Sequence, residues 1–379
     1  MGRRGGVRRA PRPPRRRPRV VGLVVVLLVV ATVVGVVVGT QSGALSLFGA
    51  DEGERTQAEP AARRAPITGV PDLPQPVVPA VRFNQRILTL PEMKKKFGKQ
   101  DLHLVDADPT RPTTFTISSF NVLGSTHTSK KGAAAGPARA ARAGALVRRK
   151  GVSVVGLQEF QSNQVGPFVS NAGGFEVYPG TSQGSLNGEN SIAWDPDVWD
   201  LVESHTVGIP YFFGKPRQMP YVLLRNVDTN RLAWFTNYHN PADVFGCKCG
   251  GHRVAATNRE IALAKELTAG GTPMFTTGDM NDRDSYACRY ATAGLHSADG
   301  VTRAGGACHL PGDEWIDWIW GSSQVTFADY DRDYSTRNGP RISDHPVITA
   351  TATIAPAAED CKSYTRHGTK YWFCPDPTA

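Results

Sequence analysis

The sequence predicts an α/β domain, and three observations support that prediction. From residue 113 onward, short alternating or apolar runs typical of strands follow one another. Helix-type segments at residues 138–150 and 259–267 interrupt them. Polar side chains recur where the strands end, and loops held by a rigid framework often carry function. The predicted strands are residues 115–122, 152–157, 191–194, 221–224, 232–236, 274–277, 315–320 and 346–354.

The net charge of +9 arises at the amino terminus. Residues 1–19 contain nine arginines and no acidic residue, which leaves 34 basic against 34 acidic residues in the rest of the chain. Residues 113–355 hold 21 basic and 22 acidic residues. Composition therefore predicts no broad phosphate-binding surface, although a nuclease that contacts a few phosphates at its site is compatible with neutrality.

Residues 20–39 form an uncharged, Val- and Leu-rich run directly after the arginines. At ~1.5 Å rise per residue, such a helix is long enough to cross a membrane. The length favours an anchor, and a cleaved signal peptide remains the alternative because small residues occur at 42–44 and 48–50. By the positive-inside rule, residues 1–19 stay cytoplasmic. We therefore expect the rest of the chain to form an extracellular domain anchored to the cell membrane, or a secreted one if the segment is cleaved.

The chain divides around the predicted strands. Residues 40–112 begin as a stalk rich in Pro, Ala, Gly and charges and continue into a lead-in without a clear pattern. The predicted domain occupies residues 113–355, and residues 356–379 form a cysteine-bearing tail.

Six cysteines in an exported chain predict disulfides. A bridge that involves Cys247 and Cys249 is favoured, while a zinc site with His239 and His252 stays open as the alternative. The other pairs that we expect, because they are local in sequence, are Cys288–Cys308 and Cys361–Cys374.

A run of β-branched and aromatic residues stops at Gly278 and is followed by Asp279 and Asn281. Residues two apart in an extended chain point to one side. One side chain is an anionic oxygen ligand or base and the other an uncharged hydrogen-bonding group, which suits a metal or water beside a phosphoryl oxygen. An Asx cap is the ordinary alternative for this pair taken alone.

Similar polar residues follow or flank other predicted strands. Each alone has an ordinary explanation, such as solvent exposure, although an unpaired Asp317 among tryptophans would be costly to bury. Together they predict one site. The set consists of Asn121, Glu159, His239, Asp317, Asp344 and His345.

Six short motifs carry these residues, in the order Phe120-Asn121-Val122-Leu123, Gly156-Leu157-Gln158-Glu159, Asn237-Tyr238-His239, Gly278-Asp279-Met280-Asn281-Asp282, Ile316-Asp317-Trp318-Ile319 and Ser343-Asp344-His345-Pro346. Their order resembles that of the endonuclease/exonuclease/phosphatase superfamily, the group of pancreatic deoxyribonuclease, apurinic endonuclease, bacterial sphingomyelinase and inositol polyphosphate 5-phosphatases. The resemblance covers residues 113–355. It implies a four-layer α/β sandwich of two mixed β-sheets flanked by helices, with the site at the top of the sheets.

The resemblance also implies a metal site. Glu159 looks like the principal divalent-metal ligand, with Asn121 beside it. Magnesium is the expected ion because the ligands are oxygens, and manganese or calcium can substitute. Asp344 resembles a metal or water ligand.

Further roles follow from the same resemblance. Asp279 resembles the residue that orients or deprotonates the attacking water, and Asn281 the one that holds a phosphate oxygen. His239 and His345 resemble the histidine pair that flanks the scissile phosphate, and Asp317 the carboxylate that hydrogen-bonds His345.

Two weaker matches complete the set. Glu189 resembles the acid that orients the counterpart of His239, and Arg217 resembles a phosphate-contacting arginine.

These features predict a metal-dependent phosphodiester hydrolase, with an extracytoplasmic nuclease acting on DNA or RNA as the favoured activity. Two alternatives stay open: a lipid or inositol-phosphate phosphodiesterase or phosphatase of the sphingomyelinase kind, and a stalked binding module without turnover. The expected partners are the phosphodiester substrate and, through the N-terminal segment, the membrane. No protein partner is predicted.

Overall fold

The computed structural model describes residues 86–128, 133–184, 189–312 and 315–376. They lie in one compact unit, Val81–Ala379. Within those ranges no helix is both long and apolar enough to cross a membrane. The arginine-rich segment, the apolar run at residues 20–39 and the predicted stalk lie outside the described residues.

The secondary structure alternates strands with a few helices, as expected. The longer α-helices of the described residues are α1 (Leu90–Gly98), α2 (Gly136–Arg149), α3 (Ser162–Ala172), α4 (Gly250–Thr268) and α5 (Asp284–Thr292). The strands are β1 (Leu102–Val105), β2 (Thr113–Asn121), β3 (Val152–Gln158), β4 (Glu176–Tyr178), β5 (Ser191–Trp194), β6 (Trp199–Pro210), β7 (Pro216–Asn226), β8 (Leu232–His239), β9 (Met274–Asp279), β10 (His296–Ser297), β11 (Thr302–Ala304), β12 (Ala307–His309), β13 (Asp317–Gly321), β14 (Val325–Asp333), β15 (Val347–Ile354), β16 (Lys362–Arg366) and β17 (Thr369–Pro375).

Two mixed six-stranded sheets form the framework. Their strand orders are β10-β13-β9-β8-β7-β6 and β14-β15-β2-β3-β5-β4. The pairs β8–β9 and β2–β3 are parallel, and their neighbours are antiparallel. Apolar residues of both sheets, including Ile117, Val154, Phe235 and Phe275, share one core. The predicted pair of mixed sheets is confirmed.

Helices cover the outer faces of the sheets. Ala140, Ala143 and Val147 on α2 are spaced for one helix face and pack in a common core with Phe168 of α3 against the β2–β3 sheet. Leu263 of α4 belongs, with residues of α5, to a second core against the other sheet. The layers therefore run helix, sheet, sheet, helix.

Four helices differ from the sequence-based expectation. Helices α1, α3 and α5 were not predicted, and α4 begins at Gly250, well before the predicted residue 259. Local propensity argues against α3 and the start of α4, because α4 starts with two glycines and α3 contains Pro167. Burial of Phe168 and Ala172 outweighs that preference in α3.

The lead-in and the C-terminal tail form a small third sheet together. Strand β1 pairs with β17, which pairs with β16. Met93 and Phe97 of α1 pack with Phe373, whose ring centre lies 4.4 Å from that of Phe97. Sequence patterns did not predict this pairing between residues about 270 positions apart.

The described residues contain three disulfides. Both local pairs are present as expected. Cys247 is bonded to Cys249, so neither sulfur is a free thiolate for the zinc site considered above. The bridges are Cys247–Cys249, Cys288–Cys308 and Cys361–Cys374.

Gly156 on β3 lets the two sheets approach closely beneath the site. A Cβ atom added there would overlap the hydroxyl of Thr277 and the side-chain oxygen of Asn237. That oxygen accepts hydrogen bonds from Gln158 Nε2 at 2.6 Å and from Thr277 Oγ1 at 3.2 Å. A buried polar layer therefore joins the sheets just below the ends of β3, β8 and β9.

Candidate active site

The strand register brings the predicted residues to one edge of the sandwich. Because β8 and β9 are parallel, His239 lies opposite Asp279 at their carboxyl ends. Asp317 opens the antiparallel strand β13 and also lies opposite Asp279. On the facing sheet, β2 ends at Asn121 and β3 is followed by Glu159.

The side-chain amide of Asn121 joins the two sheets. Its Nδ2 donates to Glu159 Oε1 at 3.1 Å and to Asp279 Oδ2 at 3.0 Å. Its Oδ1 accepts the backbone N–H of Leu123 at 3.0 Å. One buried amide thus holds two carboxylates from opposite sheets in a defined relationship.

Glu159 is held in place by its backbone and by its partners. Its φ of 55° lies in the left-handed region, which non-glycine residues occupy at a cost and which is common at functional sites. Oε2 accepts the Gly124 N–H at 2.9 Å and lies 2.6 Å from His127 Nδ1. Burial alone would raise the pKa of Glu159, but His127, the charge of His239 and the Gly124 and Asn121 donors hold it well below its usual range.

His345 lies between two carboxylates. Its Nδ1 is 3.0 Å from Asp317 Oδ2, and its Nε2 is 3.7 Å from Asp279 Oδ2. Burial would lower the pKa of His345, but the negative charges of Asp317, Asp279 and the adjacent Asp344 raise it well above its ordinary value. The surrounding carboxylates therefore favour the protonated form of the imidazole.

His239 and Asn281 complete the surroundings of Asp279. His239 Nε2 lies 3.6 Å from Asp279 Oδ2. The N–H of Asn281 donates to Asp279 Oδ1 at 3.0 Å, and its side chain donates to the Asn240 carbonyl at 2.9 Å. Asn281 has a φ of 47°, which asparagine tolerates better than most residues. Both oxygens of Asp279 are thereby oriented.

Glu189 and Arg217 form an ion pair at the side of the cleft, 3.0 Å apart. The guanidinium carbon of Arg217 lies 4.1 Å from the centre of the Tyr211 ring, and Glu189 also accepts from Gln161 Nε2 at 3.0 Å. The resemblance implied that Glu189 orients His239. In the structure its partners are Arg217 and Gln161, so it positions the arginine instead.

A cleft of about 450 Å³ opens above these groups. Asn121 and Asp317 are buried and contact the groups that line the cleft, and Asp344 precedes the lining residue His345. The lining residues are His127, Glu159, Glu189, Tyr211, Phe212, Arg217, His239, Ala242, Val244, Asp279, Asn281 and His345.

Among the polar residues that line the cleft, sequence reasoning missed two, His127 and Tyr211. His127 stands in the loop that follows Asn121, so its place after a strand end was a usable signal. Tyr211 follows β6, a strand that the sequence pattern did not predict, and no spacing marked it.

The donor set fits a hard divalent cation. Glu159 contacts His127, the Gly124 N–H and the Asn121 amide. Asp279 contacts His239, His345 and the same amide. These contacts bring no arginine or lysine to either carboxylate, and carboxylate oxygens are among the ligands that magnesium and calcium prefer.

A second group of ligand atoms lies in Asp279, Asp317 and His345, all within 4.8 Å of one another. Here the two ring nitrogens of His345 face the two carboxylates. Ion pairing among the three side chains accounts for this group.

Solved structures share this architecture. An endonuclease/exonuclease/phosphatase family protein from Bacteroides thetaiotaomicron is 18% identical and matches over 65% of this chain and 100% of that chain, with a TM-score of 0.51. An endonuclease/exonuclease/phosphatase from Bacteroides vulgatus is 17% identical over 64% and 99%, with a TM-score of 0.50. No protein-family model matches the chain, and no curated protein sequence does. The chain therefore has the fold of the endonuclease/exonuclease/phosphatase proteins.

Proposed function

We propose that the protein is a metal-dependent phosphodiesterase that hydrolyses nucleic acid outside the cytoplasm. The observation that carries this proposal is the position of Asp279. Its buried carboxylate lies 3.6 Å from His239 and 3.7 Å from His345, and it shares the Asn121 amide with Glu159. A base, two imidazoles and a cation ligand around one cleft suit in-line attack of water on a phosphodiester.

Glu159 would hold the divalent cation, with Asn121 beside it. When bound, the cation would neutralise charge that develops on the phosphoryl oxygens. The hydrogen bonds and charges that keep Glu159 ionised favour this role. Magnesium is the expected ion, and manganese or calcium can substitute because the ligands are oxygens.

The remaining groups divide the acid–base work. Asp279 orients a water molecule and accepts its proton as the water oxygen bonds to phosphorus. The bond between phosphorus and the leaving oxygen then breaks, and a proton from solvent completes the leaving hydroxyl. The N–H of Asn281 fixes the other oxygen of the Asp279 carboxylate. The protonated His345 donates a hydrogen bond to a phosphoryl oxygen, where negative charge grows in the transition state. Asp317 keeps that imidazole charged and oriented. Arg217, held by Glu189, supplies a further phosphate contact.

The proposed location rests on the chain before residue 40 and on the cysteines. The arginine block followed by an uncharged apolar run suits an N-terminal anchor with the catalytic domain outside the cytoplasm, or a cleaved signal peptide. Disulfides persist in oxidising compartments, which agrees with export.

Substrate assays with the full chain, purified in detergent, test this function. Plasmid DNA, RNA, sphingomyelin and inositol phosphates would each be incubated with magnesium and with a chelator. We expect the protein to cleave a nucleic acid, and this cleavage should require the metal. Asp279→Asn should abolish the cleavage while the variant remains folded. Cleavage of only a lipid or an inositol phosphate would show that the protein acts on that substrate class and not on nucleic acid. Parental activity in Asp279→Asn would refute the mechanism.

A further inference from the structure

Two phenylalanines project into solvent at the mouth of the cleft. Phe245 is fully exposed to solvent, and Phe213 is 58% exposed. Their chain neighbours Val244 and Phe212 line the cleft. A Cβ atom placed on Gly246 would lie 3.7 Å from the Phe213 ring, so the two loop tips are adjacent. Exposure of two large aromatic rings beside a polar cleft indicates a contact surface.

The loop that carries Phe245 is preformed. Cys247 and Cys249 are bonded to each other, and Val244 and Cys247 exchange backbone hydrogen bonds of 3.2 and 2.9 Å across the tip. Asp243 accepts the Cys249 N–H at 2.8 Å. These bonds hold the Phe245 ring outward without the ordering cost that a mobile loop would meet on binding.

The Phe213 tip is also constrained. Phe213 has a φ of 56°, an unfavourable backbone region for a bulky residue. The N–H of Gly214 donates to the Tyr211 carbonyl at 2.9 Å, and that of Lys215 to the Phe212 carbonyl at 3.2 Å. Such conformations persist where surrounding bonds enforce them and are common in ligand clamps.

Exposed lysines accompany both rings. Lys215 follows Phe213 by two positions, and Lys248 follows Phe245 by three. Arg217 lies deeper, in the cleft itself. Aromatic faces beside separate cationic groups match single-stranded nucleic acid, whose bases stack on rings while its phosphates follow the charges. A duplex keeps its base faces stacked on one another and offers them to neither ring.

A membrane surface fits this mouth less well. Interfacial binding uses a broad apolar face. Here the exposed apolar side chains, which are Phe213, Val244 and Phe245, lie on two loop tips that also carry glycines and the exposed Lys215 and Lys248.

We propose that Phe213 and Phe245 form a stacking platform for unpaired bases next to the scissile phosphate, which makes single-stranded nucleic acid the preferred substrate. This rests on the proposed function, because it assigns the substrate of the same cleft. The platform acts on binding and leaves the chemistry at Asp279 unchanged.

Kinetics with three matched substrates test the platform on the full chain. They are a single-stranded oligonucleotide, the same sequence as a duplex, and an abasic oligomer with the same number of phosphates. We expect Phe213→Ala/Phe245→Ala to raise KM for the single strand by about tenfold, since one stacked base contributes that much or more. Cleavage of the abasic oligomer should not change, and Phe245→Trp should keep the parental KM. Leu201→Ala, which alters an exposed residue of β6, is the control.

A binding measurement separates failure of the platform from failure of the proposed function. Asp279→Asn protein should quench a single-stranded oligonucleotide that contains 2-aminopurine, and the added double substitution should abolish the quenching. Quenching without cleavage by the parental protein would keep the platform and refute the nuclease. Equal KM changes for the single-stranded and abasic substrates, or equal use of duplex and single strand, would overturn the platform. A membrane-binding result would also overturn the platform. In that case, brominated phosphatidylglycerol vesicles would quench the tryptophan fluorescence of Phe245→Trp more than that of the parental protein.

Discussion

The imidazole of His345 and the carboxylate of Asp317 meet at 3.0 Å across the two sheets of the sandwich. Asp317 opens β13 in one sheet, and His345 precedes β15 in the other. Asp317 is 1% exposed, so its charge acts on the ring with little screening by water. This contact couples the packing of the sheets to the protonation of a cleft residue.

Asp317→Asn should therefore shift the pH dependence of activity. Asp317 helps to raise the pKa of His345, so its neutralisation should lower that pKa and make the ring lose its proton at lower pH. The alkaline limb of the kcat profile should move toward neutral pH. His345→Ala should cost more, about 10²–10⁴-fold in kcat. Superimposable profiles for the parental protein and Asp317→Asn would contradict this coupling.

Glu159→Gln should weaken metal binding. The substitution keeps the shape of the side chain and removes the charge that we expect to hold the cation. Isothermal titration with magnesium should show the loss directly, without any assay of activity. High magnesium should restore part of the turnover in Glu159→Gln and none in Asp279→Asn. Unchanged magnesium affinity would exclude Glu159 as a principal ligand.

Gly156→Ala should destabilise the fold. The new methyl group would overlap Thr277 and Asn237 in the polar layer between the sheets, and overpacking typically costs about 1–3 kcal/mol of unfolding free energy. Gly251→Ala is a matched control, because a Cβ on this residue of α4 meets nothing within 4 Å. It should be neutral or stabilising, as glycine is the poorer helix residue. Chemical denaturation compares the two, and equal unfolding energies would contradict the prediction.

Glu260→Gln should change how stability depends on pH. Glu260 of α4 is fully buried; burial raises its pKa from 4.5 to about 7, against the opposing hydrogen bonds from Tyr290 and Asn240. The folded state then binds the proton more tightly than the unfolded state, so stability falls as pH rises from 4.5 through 7.

Glutamine cannot ionise, and it keeps an acceptor for Tyr290. Thermal unfolding at several pH values should therefore show Glu260→Gln gaining on the parental protein as the pH rises. Each unit of pKa shift corresponds to about 1.4 kcal/mol. A difference in melting temperature that is constant with pH would mean that Glu260 titrates at its ordinary value in the fold.

Properties that depend on neighbours along the chain could be predicted from the sequence. The strand runs, the helix near residues 138–150 and the local pairs Cys288–Cys308 and Cys361–Cys374 follow from periodicity and spacing. The same holds for the polar residues at strand ends, because a strand of known length delivers its last side chain to the edge of a sheet. By itself the sequence thus indicated most of the polar residues that reach the edge of the cleft, and its resemblance to a known superfamily implied the two-sheet architecture.

Only the tertiary structure decided which of those residues touch. The Asn121 amide reaches Asp279 from the opposite sheet, His127 reaches Glu159 from a loop, and Glu189 pairs with Arg217. Helix α3 forms in spite of Pro167 because its apolar face is buried. Such contacts depend on how the two sheets approach each other, and that distance is set by packing summed over the whole core. Local residue patterns therefore do not predict the distance between the sheets.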